Sequence, residues 1–333
     1  MMYATSEGTA RYAGRYPEYQ RAGFYRTLFN LQVSSVGIGT YLGAASDAAD
    51  RAYTDALVLA GESSVNFFDA AINYRDQRSE RCLGSALKHL QRDEVVVCTK
   101  AGFLTPGAIP KSLRPDDVAG GMHCMSPDFL SDQIDRSLAN MELDTVDVFY
   151  LHNPETQLGF RTREEFEVRI RRAFAGMEQL VGQNKIRWYG TATWEGFRKP
   201  DALNLRRLVE IAVQEGGPDH HFRFIQLPLN LAMVEVFTNP PENVLEAADA
   251  LGIGVVASGT LMQGKVLTHL PDRLPELLPG LATGAQRAIQ FTRSTPGIDV
   301  ALVGMGRLEH VRENLGVARV PPATREQYLQ MFP

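Results

Sequence analysis

The stretch VNFFDAAINYRDQRSERCLGSALK (65–88) decides how this chain folds. It opens on a short apolar run, VNFFDA, and crosses a polar loop. It ends where apolar residues recur at three- and four-residue spacing. The first part reads as a strand buried on both faces, the last as an amphipathic helix. The same unit recurs along the chain. Continuous apolar runs stand at VSSVGIGT (33–40), EVVVCTK (94–100), VDVFYLH (146–152), IRWYGTA (186–192), FRFIQL (222–227), IGVVAS (253–258) and DVALVG (299–304). Amphipathic stretches fill most gaps, and Gly216-Gly217-Pro218 and Gly252 read as helix stops. Strands alternating with helices in this way predict a parallel (β/α)8 TIM barrel. An open doubly wound sheet is the alternative. It would carry a glycine-rich phosphate turn after the first strand, and VGIGTYLG (36–43) lacks the helix-opening GxGxxG.

No domain break interrupts the pattern, so residues 21–333 read as one domain. Residues 1–20 read as a loosely held extension whose four tyrosines dock on the barrel. The longest irregular stretch, 103–127, follows the third strand. A loop of that length in a compact domain is usually functional or disordered.

Composition narrows the class. The chain has 333 residues, 44% hydrophobic and 22% charged, which suits a soluble protein with a large core. A formal charge of −5 argues against nucleic acid or an anionic membrane as partner. Cys82, Cys98 and Cys124 are too few for a disulfide framework, and no CxxC occurs. The polar N-terminal stretch has no signal-peptide core, and no run reaches the roughly 18 apolar residues of a membrane span. The expected location is a reducing cytoplasm. Oligomeric state is not readable.

In a barrel the C-terminal strand ends form the active face. Asp69 ends the second run, Lys100 the third and His152 the fourth, and Tyr74 sits in the loop after the second. Each alone reads as ordinary: a cap, a surface lysine, a core histidine, a packing ring. Together they put four ionisable groups on one rim. An ammonium favours phenolate at a neighbouring tyrosine, and Asp69 can neutralise that ammonium. A neutral histidine can orient a carbonyl by hydrogen bond. The set fits proton donation to a carbonyl oxygen that becomes an alkoxide. There is no GxSxG turn for acyl transfer and no HxH or HExxH for metal hydrolysis. The His220-His221 pair, just before a strand, is expected on the opposite face.

These residues resemble the aldo-keto reductases. FFDAAINYRDQRSERCLGSAL is similar to that family's second-strand signature, CTK to its lysine segment and DVFYLHNPE to its histidine strand. NKIRWYG (184–190), IQLPLNL and LVGMGRLEHVRENLG follow in family order, so the likeness runs from about residue 24 to 318. It implies that Asp69, Tyr74, Lys100 and His152 are a catalytic tetrad, with Tyr74 the proton donor. It also implies a nicotinamide dinucleotide held by Gly39, Thr40, Asp69, Thr193, Gln226, Ser258, Gly259, Leu261, Gly304, Met305, Arg307, His310, Glu313 and Asn314. The activity implied is NAD(P)H-dependent reduction of a small aldehyde, ketone or sugar, or the reverse. No metal is implied.

The chain departs from the family at two points. Ala192-Thr193 stands where a serine-asparagine pair usually grips the nicotinamide. Ser258-Gly259-Thr260-Leu261 lacks the aromatic that usually stacks on it, which leaves Trp188, Trp194 or another ring to substitute. A helix opening near Leu308, with Arg307 and His310, is a reasonable anion site and favours NADP, with NAD the alternative. Two other classes stay open: a non-enzymatic nicotinamide-binding regulatory subunit, and a Schiff-base aldolase using Lys100.

Overall fold

The computed structural model describes residues 3–199, 201–239 and 243–332. Eight strands close into a barrel: β1 (Val36–Gly39), β2 (Phe67–Asp69), β3 (Val96–Ala101), β4 (Val146–His152), β5 (Ile186–Ala192), β6 (Phe222–Pro228), β7 (Gly254–Ser258) and β8 (Val300–Gly304). Every pair around the ring is parallel, and β8 pairs back onto β1. A helix follows each strand, from Asp47–Glu62 after β1 to Leu308–Asn314 after β8. The alternating pattern of the sequence thus becomes a (β/α)8 barrel, and the open-sheet alternative falls. The helix after β5 ends at Gly216, and Gly217 follows in a left-handed conformation (φ 75°) that residues with side chains avoid.

Two apolar layers hold the ring. Inside it, Phe67, Val96, Cys98, Val148, Phe224, Val256 and Val300 fill the barrel. Outside, the helices bury the other strand face, for example Leu83, Phe129, Ile170 and Phe174. The 33–40 run does not form one strand. Its first residues end a hairpin, Tyr25–Leu28 with Leu31–Ser34, that caps the N-terminal mouth. The chain turns at Ser34, whose Oγ donates to the Val36 carbonyl while its N–H donates to Asn66.

Residues 3–20 are not loosely held. Helices Ser6–Gly14 and Pro17–Arg21 lie against the barrel, and Tyr12 is buried with its hydroxyl donating to the carbonyls of Gly61 and Val65. Tyr12, Tyr16, Tyr19, Phe24 and Tyr25 form one aromatic cluster. The 103–127 loop is also ordered. It contains a short hairpin, Val118–Ala119 with His123–Cys124, turned by Gly120 and Gly121 at positive φ. Among the described residues no helix is long and apolar enough to cross a membrane.

Candidate active site

The parallel register brings the polar strand ends level. Gly39 pairs with Asp69, Asp69 with Cys98, Lys100 with Tyr150, and Ala192 with both His152 and Gln226. Asp69, Lys100, His152 and Gln226 therefore face one another at the C-terminal mouth. Tyr74 arrives from the loop after β2. Three left-handed residues, Arg75, Asp76 and Gln77, follow it and turn the chain into the helix Arg78–Leu87. Arg75 pins that loop. Its buried guanidinium donates to the Ala44 carbonyl, pairs with Asp50 and lies over the Tyr53 ring. Nothing in the local sequence distinguishes Arg75 from a surface arginine, and the sequence reading missed it.

The Lys100 ammonium donates to Asp69 Oδ1 at 2.5 Å and to the Ala70 carbonyl at 2.8 Å. Gln226 Nε2 donates to the other Asp69 oxygen at 2.9 Å. Lys100 also lies 4.7 Å from the centre of the Tyr74 ring. The Tyr74 and His152 rings meet edge to face, 5.7 Å apart.

The surroundings set each charge. Burial works against the Lys100 ammonium, but Asp69 and Tyr74 outweigh it and hold the lysine above its ordinary pKa. Burial also lifts the Asp69 carboxyl, with Lys100 pulling it back. Burial, then Lys100 and His123, push His152 well below the usual histidine value, so its ring is neutral. Tyr74 corrects an expectation. Lys100 does favour its phenolate, but burial is the larger effect, and the net shift is upward. Tyr74 thus keeps its proton through neutral pH.

Two contiguous cavities open at this mouth. One, about 520 Å³, is walled by Tyr74, Phe103, His152, Thr193, Trp194 and Gln226. The other, about 730 Å³, runs outward past Gly39, Leu261 and Gly304 to Arg307, His310 and Asn314. Tyr41, Gly259, Met262 and Gln263 line both and mark where they meet.

The sequence model of the Aldo/keto reductase family matches residues 35–273. The chain belongs to this family. It is 22% identical over 324 residues to the uncharacterized oxidoreductase YqkF of Bacillus subtilis (strain 168), a match covering 90% of this chain and 91% of that protein. Among solved structures it is similar to an aldo/keto reductase from Klebsiella pneumoniae in complex with NADP and acetate. The TM-score is 0.68 at 20% identity, over 92% of this chain and 94% of that one. The holo form of the aldo-keto reductase AKR11C1 from Bacillus halodurans gives a TM-score of 0.66 at 21% identity, over 92% and 95%.

Most residues expected to hold a cofactor in this aldo/keto reductase reach a cavity wall. Thr193, Gln226, Ser258 and Gly259 line the inner cavity. Gly39, Gly259, Leu261, Gly304, Arg307, His310, Glu313 and Asn314 line the outer one. Thr40, Asp69 and Met305 do not. All three side chains are buried; the Thr40 hydroxyl is committed to the Asp69 carbonyl, and the Asp69 carboxylate to Lys100 and Gln226. Trp188 cannot stand in for the missing aromatic, because it sits in the opposite mouth against Phe29 and Phe224. Trp194 is on the right wall. A Cβ placed on Gly259 would lie 3.5 Å from its ring, an ordinary contact, so it is the positive φ of 65° and not the indole that calls for glycine there. The tryptophan's turn is fixed by Glu155, which accepts the N–H groups of Trp194, Glu195 and Gly196 on one oxygen. Glu155 lies within the HNPE segment, so a signal was present. Phe103 and His123, from the long loop, also reach the site. His220 and His221 stand at the start of β6, at the opposite mouth, where His221 pairs with Glu178.

Proposed function

We propose that this reductase uses NADP(H) to reduce the carbonyl of a small aldehyde, ketone or sugar to an alcohol, with Tyr74 as the proton donor. The observation that carries this reading is the buried Lys100–Asp69 pair beneath the Tyr74 ring, beside a neutral His152.

The site fits a dinucleotide. Its cavity is elongated and in two parts, with the amide of Gln226 and hydroxyl of Thr193 at the inner end and Arg307 and His310 at the outer. Thr193 and Gln226 would hold the carboxamide, Trp194 would cover the nicotinamide, and Arg307 and His310 would take the phosphate that distinguishes NADP. NADP and NADPH occupy the Klebsiella pneumoniae relatives, which supports the same choice here. When bound, the reduced dinucleotide supplies a hydride to the carbonyl carbon.

The chain's own residues handle the proton. The carbonyl oxygen gains negative charge as it is reduced, and a positioned acid relieves it. Tyr74 keeps its proton at neutral pH because it is buried, and can release it because Lys100 steadies the phenolate left behind. Asp69 keeps Lys100 charged, and Gln226 keeps Asp69 aimed at it. His152 Nδ1 is buried without a partner. An unpaired acceptor is tolerated better than an unpaired N–H, which assigns the hydrogen to Nε2, facing the cavity. That N–H can orient the substrate oxygen.

Lys100 is a poor candidate for a Schiff base. It is held as an ammonium by Asp69, and the nucleophile must be the free amine. Turnover of Tyr74→Phe tests both the enzymatic reading and its proton donor against a purely regulatory, dinucleotide-binding role. With a panel of aldehydes, ketones and sugars, reduction should fall by roughly 10²–10⁴-fold, the worth of a positioned general acid. Dinucleotide affinity, read by fluorescence quenching, should change little. Near-native turnover by Tyr74→Phe would sink the assignment.

A further inference from the structure

His152 has an unusual support. Its Nδ1 has no partner among the described residues, so no side-chain hydrogen bond aims the ring. The backbone leaves the sheet at once, because Asn153 is left-handed (φ 48°) and its N–H goes to the Ala192 carbonyl. We propose that His123, on the hairpin of the 103–127 loop, is the positioning residue that holds His152 for catalysis, through a hydrogen bond to the His152 carbonyl and through the ring of Phe103 packed between the two imidazoles. The inference rests on His152 orienting the substrate carbonyl.

His123 is fully buried, with Nε2 2.8 Å from the His152 carbonyl oxygen. A carbonyl only accepts, so Nε2 donates. Burial holds the His123 pKa down at about 4, so the ring is neutral and Nδ1 is left as an acceptor. Gln157 Nε2 lies 3.1 Å from that Nδ1 and donates to it. The Gln157 oxygen accepts in turn from Arg169 at 3.3 Å. Donation therefore runs one way, from Arg169 through Gln157 and His123 to His152, and each step fixes the next group's orientation. Phe103 stands edge-on to both imidazoles, 5.2 Å from His123 and 5.3 Å from His152. Gly102 makes the bond possible. A Cβ there would sit 2.4 Å from the His152 oxygen and 2.7 Å from His123 Nε2. The loop that walls the substrate cavity and the histidine that meets the substrate are thereby one unit.

The test compares His123→Leu, which removes the donor, with His123→Gln, whose amide nitrogen can occupy the place of Nε2. Carbonyl reduction with NADPH is followed for both, with Tyr74→Phe in the same assay. His123→Leu should lose up to about 10²-fold in kcat, as expected for a small displacement of a catalytic group. KM for the carbonyl and the dissociation constant of NADPH should stay near wild type. His123→Gln should recover most of kcat. A wild-type kcat in His123→Leu overturns the proposal. So does an equal loss in His123→Gln, which would trace the effect to shape alone. If His123→Leu does not fold, Gln157→Leu reads the same chain of donors, and an unchanged kcat there overturns the proposal too. Loss of activity in Tyr74→Phe alongside an active His123→Leu refutes the role of His123 alone. An active Tyr74→Phe refutes the reading of the site beneath it.

Discussion

The barrel buries a carboxylate at each mouth, and the two are treated differently. Asp147, at the N-terminal mouth, accepts from the Ala4 and Val97 N–H groups and from Arg92, at 2.7–2.9 Å. These bonds lock the N-terminal segment, β3 and β4 together, and the hairpin Tyr25–Leu28 with Leu31–Ser34 caps the same mouth. Asp69, at the C-terminal mouth, accepts from Lys100 and Gln226, and Lys100 reaches on toward Tyr74, which lines an open cavity. Each mouth also holds buried polar atoms with no partner among the described residues, Arg92 Nε at the first and His152 Nδ1 and the Thr260 hydroxyl near the second. One end uses its charges to close the fold. The other sets them beside an open cavity.

The comparison breaks if the N-terminal carboxylate matters for turnover. Asp147→Ala leaves the Ala4 and Val97 N–H groups without their acceptor and the Arg92 guanidinium without its counter-charge, bonded only to the Val95 and Thr145 carbonyls. Losing one partner of a buried ion pair costs about 3–5 kcal/mol. The unfolding free energy, from denaturant titration, should fall by an amount in that range, while kcat per folded molecule stays at wild type. A kcat loss as large as that of a tetrad variant would mean the two mouths are coupled.

Lys100→Met sharpens the other side. It removes the cation that steadies the Tyr74 phenolate, and reduction should slow by roughly 10²-fold, within the range of general acid catalysis. The pH profile carries more information. With Tyr74 as the proposed donor, reduction needs it protonated. Burial raises the Tyr74 pKa above its ordinary 10.0 against the pull of Lys100. In the wild type the alkaline fall of kcat/KM should therefore lie above that value, and in Lys100→Met it should move higher still. A wild-type limb at neutral pH would show that another group donates the proton.

The two mouths also differ in how far the sequence announced them. All eight strands were legible because strands buried on both faces read as unbroken apolar runs, and 65–70 or 146–152 could hardly be anything else. The placement of Asp69, Lys100 and His152 was legible for the same reason, since a polar residue ending such a run lands on the rim; Tyr74 comes from the loop after β2. What stayed hidden depends on long-range packing. His123 sits in a glycine-rich loop, and only the fold brings it under His152. Arg75 and Glu155 look like surface charges until the chain closes around them. Tyr12 looked like part of a loose arm because helix Ser6–Gly14 is stabilised by the barrel it covers and carries little signal of its own. Thr40 and Met305 were expected at the cofactor because they adjoin Gly39 and Gly304, which line the outer cavity. One residue along a strand end is enough to turn a side chain from cavity to core.

Trp194 is a further test of the C-terminal mouth. The chain has two tryptophans, one at each end of the barrel, so each is a control for the other. Stacking of an aromatic side chain on a base contributes about 1–3 kcal/mol. Trp194→Ala should weaken NADPH binding by about tenfold, within that range, and abolish most of the fluorescence quenching. Trp188→Phe should change neither. Quenching that follows Trp188 instead would remove Trp194 from the cofactor wall.

An effect of the same size, but on one dinucleotide only, is expected at Arg307, and it decides between the two. Its side chain is 67% exposed and pairs at 3.5 Å with Glu309, itself 65% exposed. Such a surface pair contributes only about 0–1 kcal/mol, so Arg307 can exchange Glu309 for a phosphate at little cost. A guanidinium meets a phosphate with two parallel hydrogen bonds, and His310 lines the same wall. NADPH differs from NADH only by the 2′-phosphate. Arg307→Ala should therefore raise the NADPH dissociation constant by about tenfold, the low end for a bond to a charged group because solvent screens it, and leave NADH unmoved. Glu309→Gln should act in the opposite sense, since it frees Arg307 from its competitor. Raising the salt concentration should narrow both differences, as exposed charges are screened. Equal weakening for the two dinucleotides would mean that Arg307 supports the helix behind the cavity instead of reading the phosphate. The preference for NADP would then have to come from elsewhere on the outer wall.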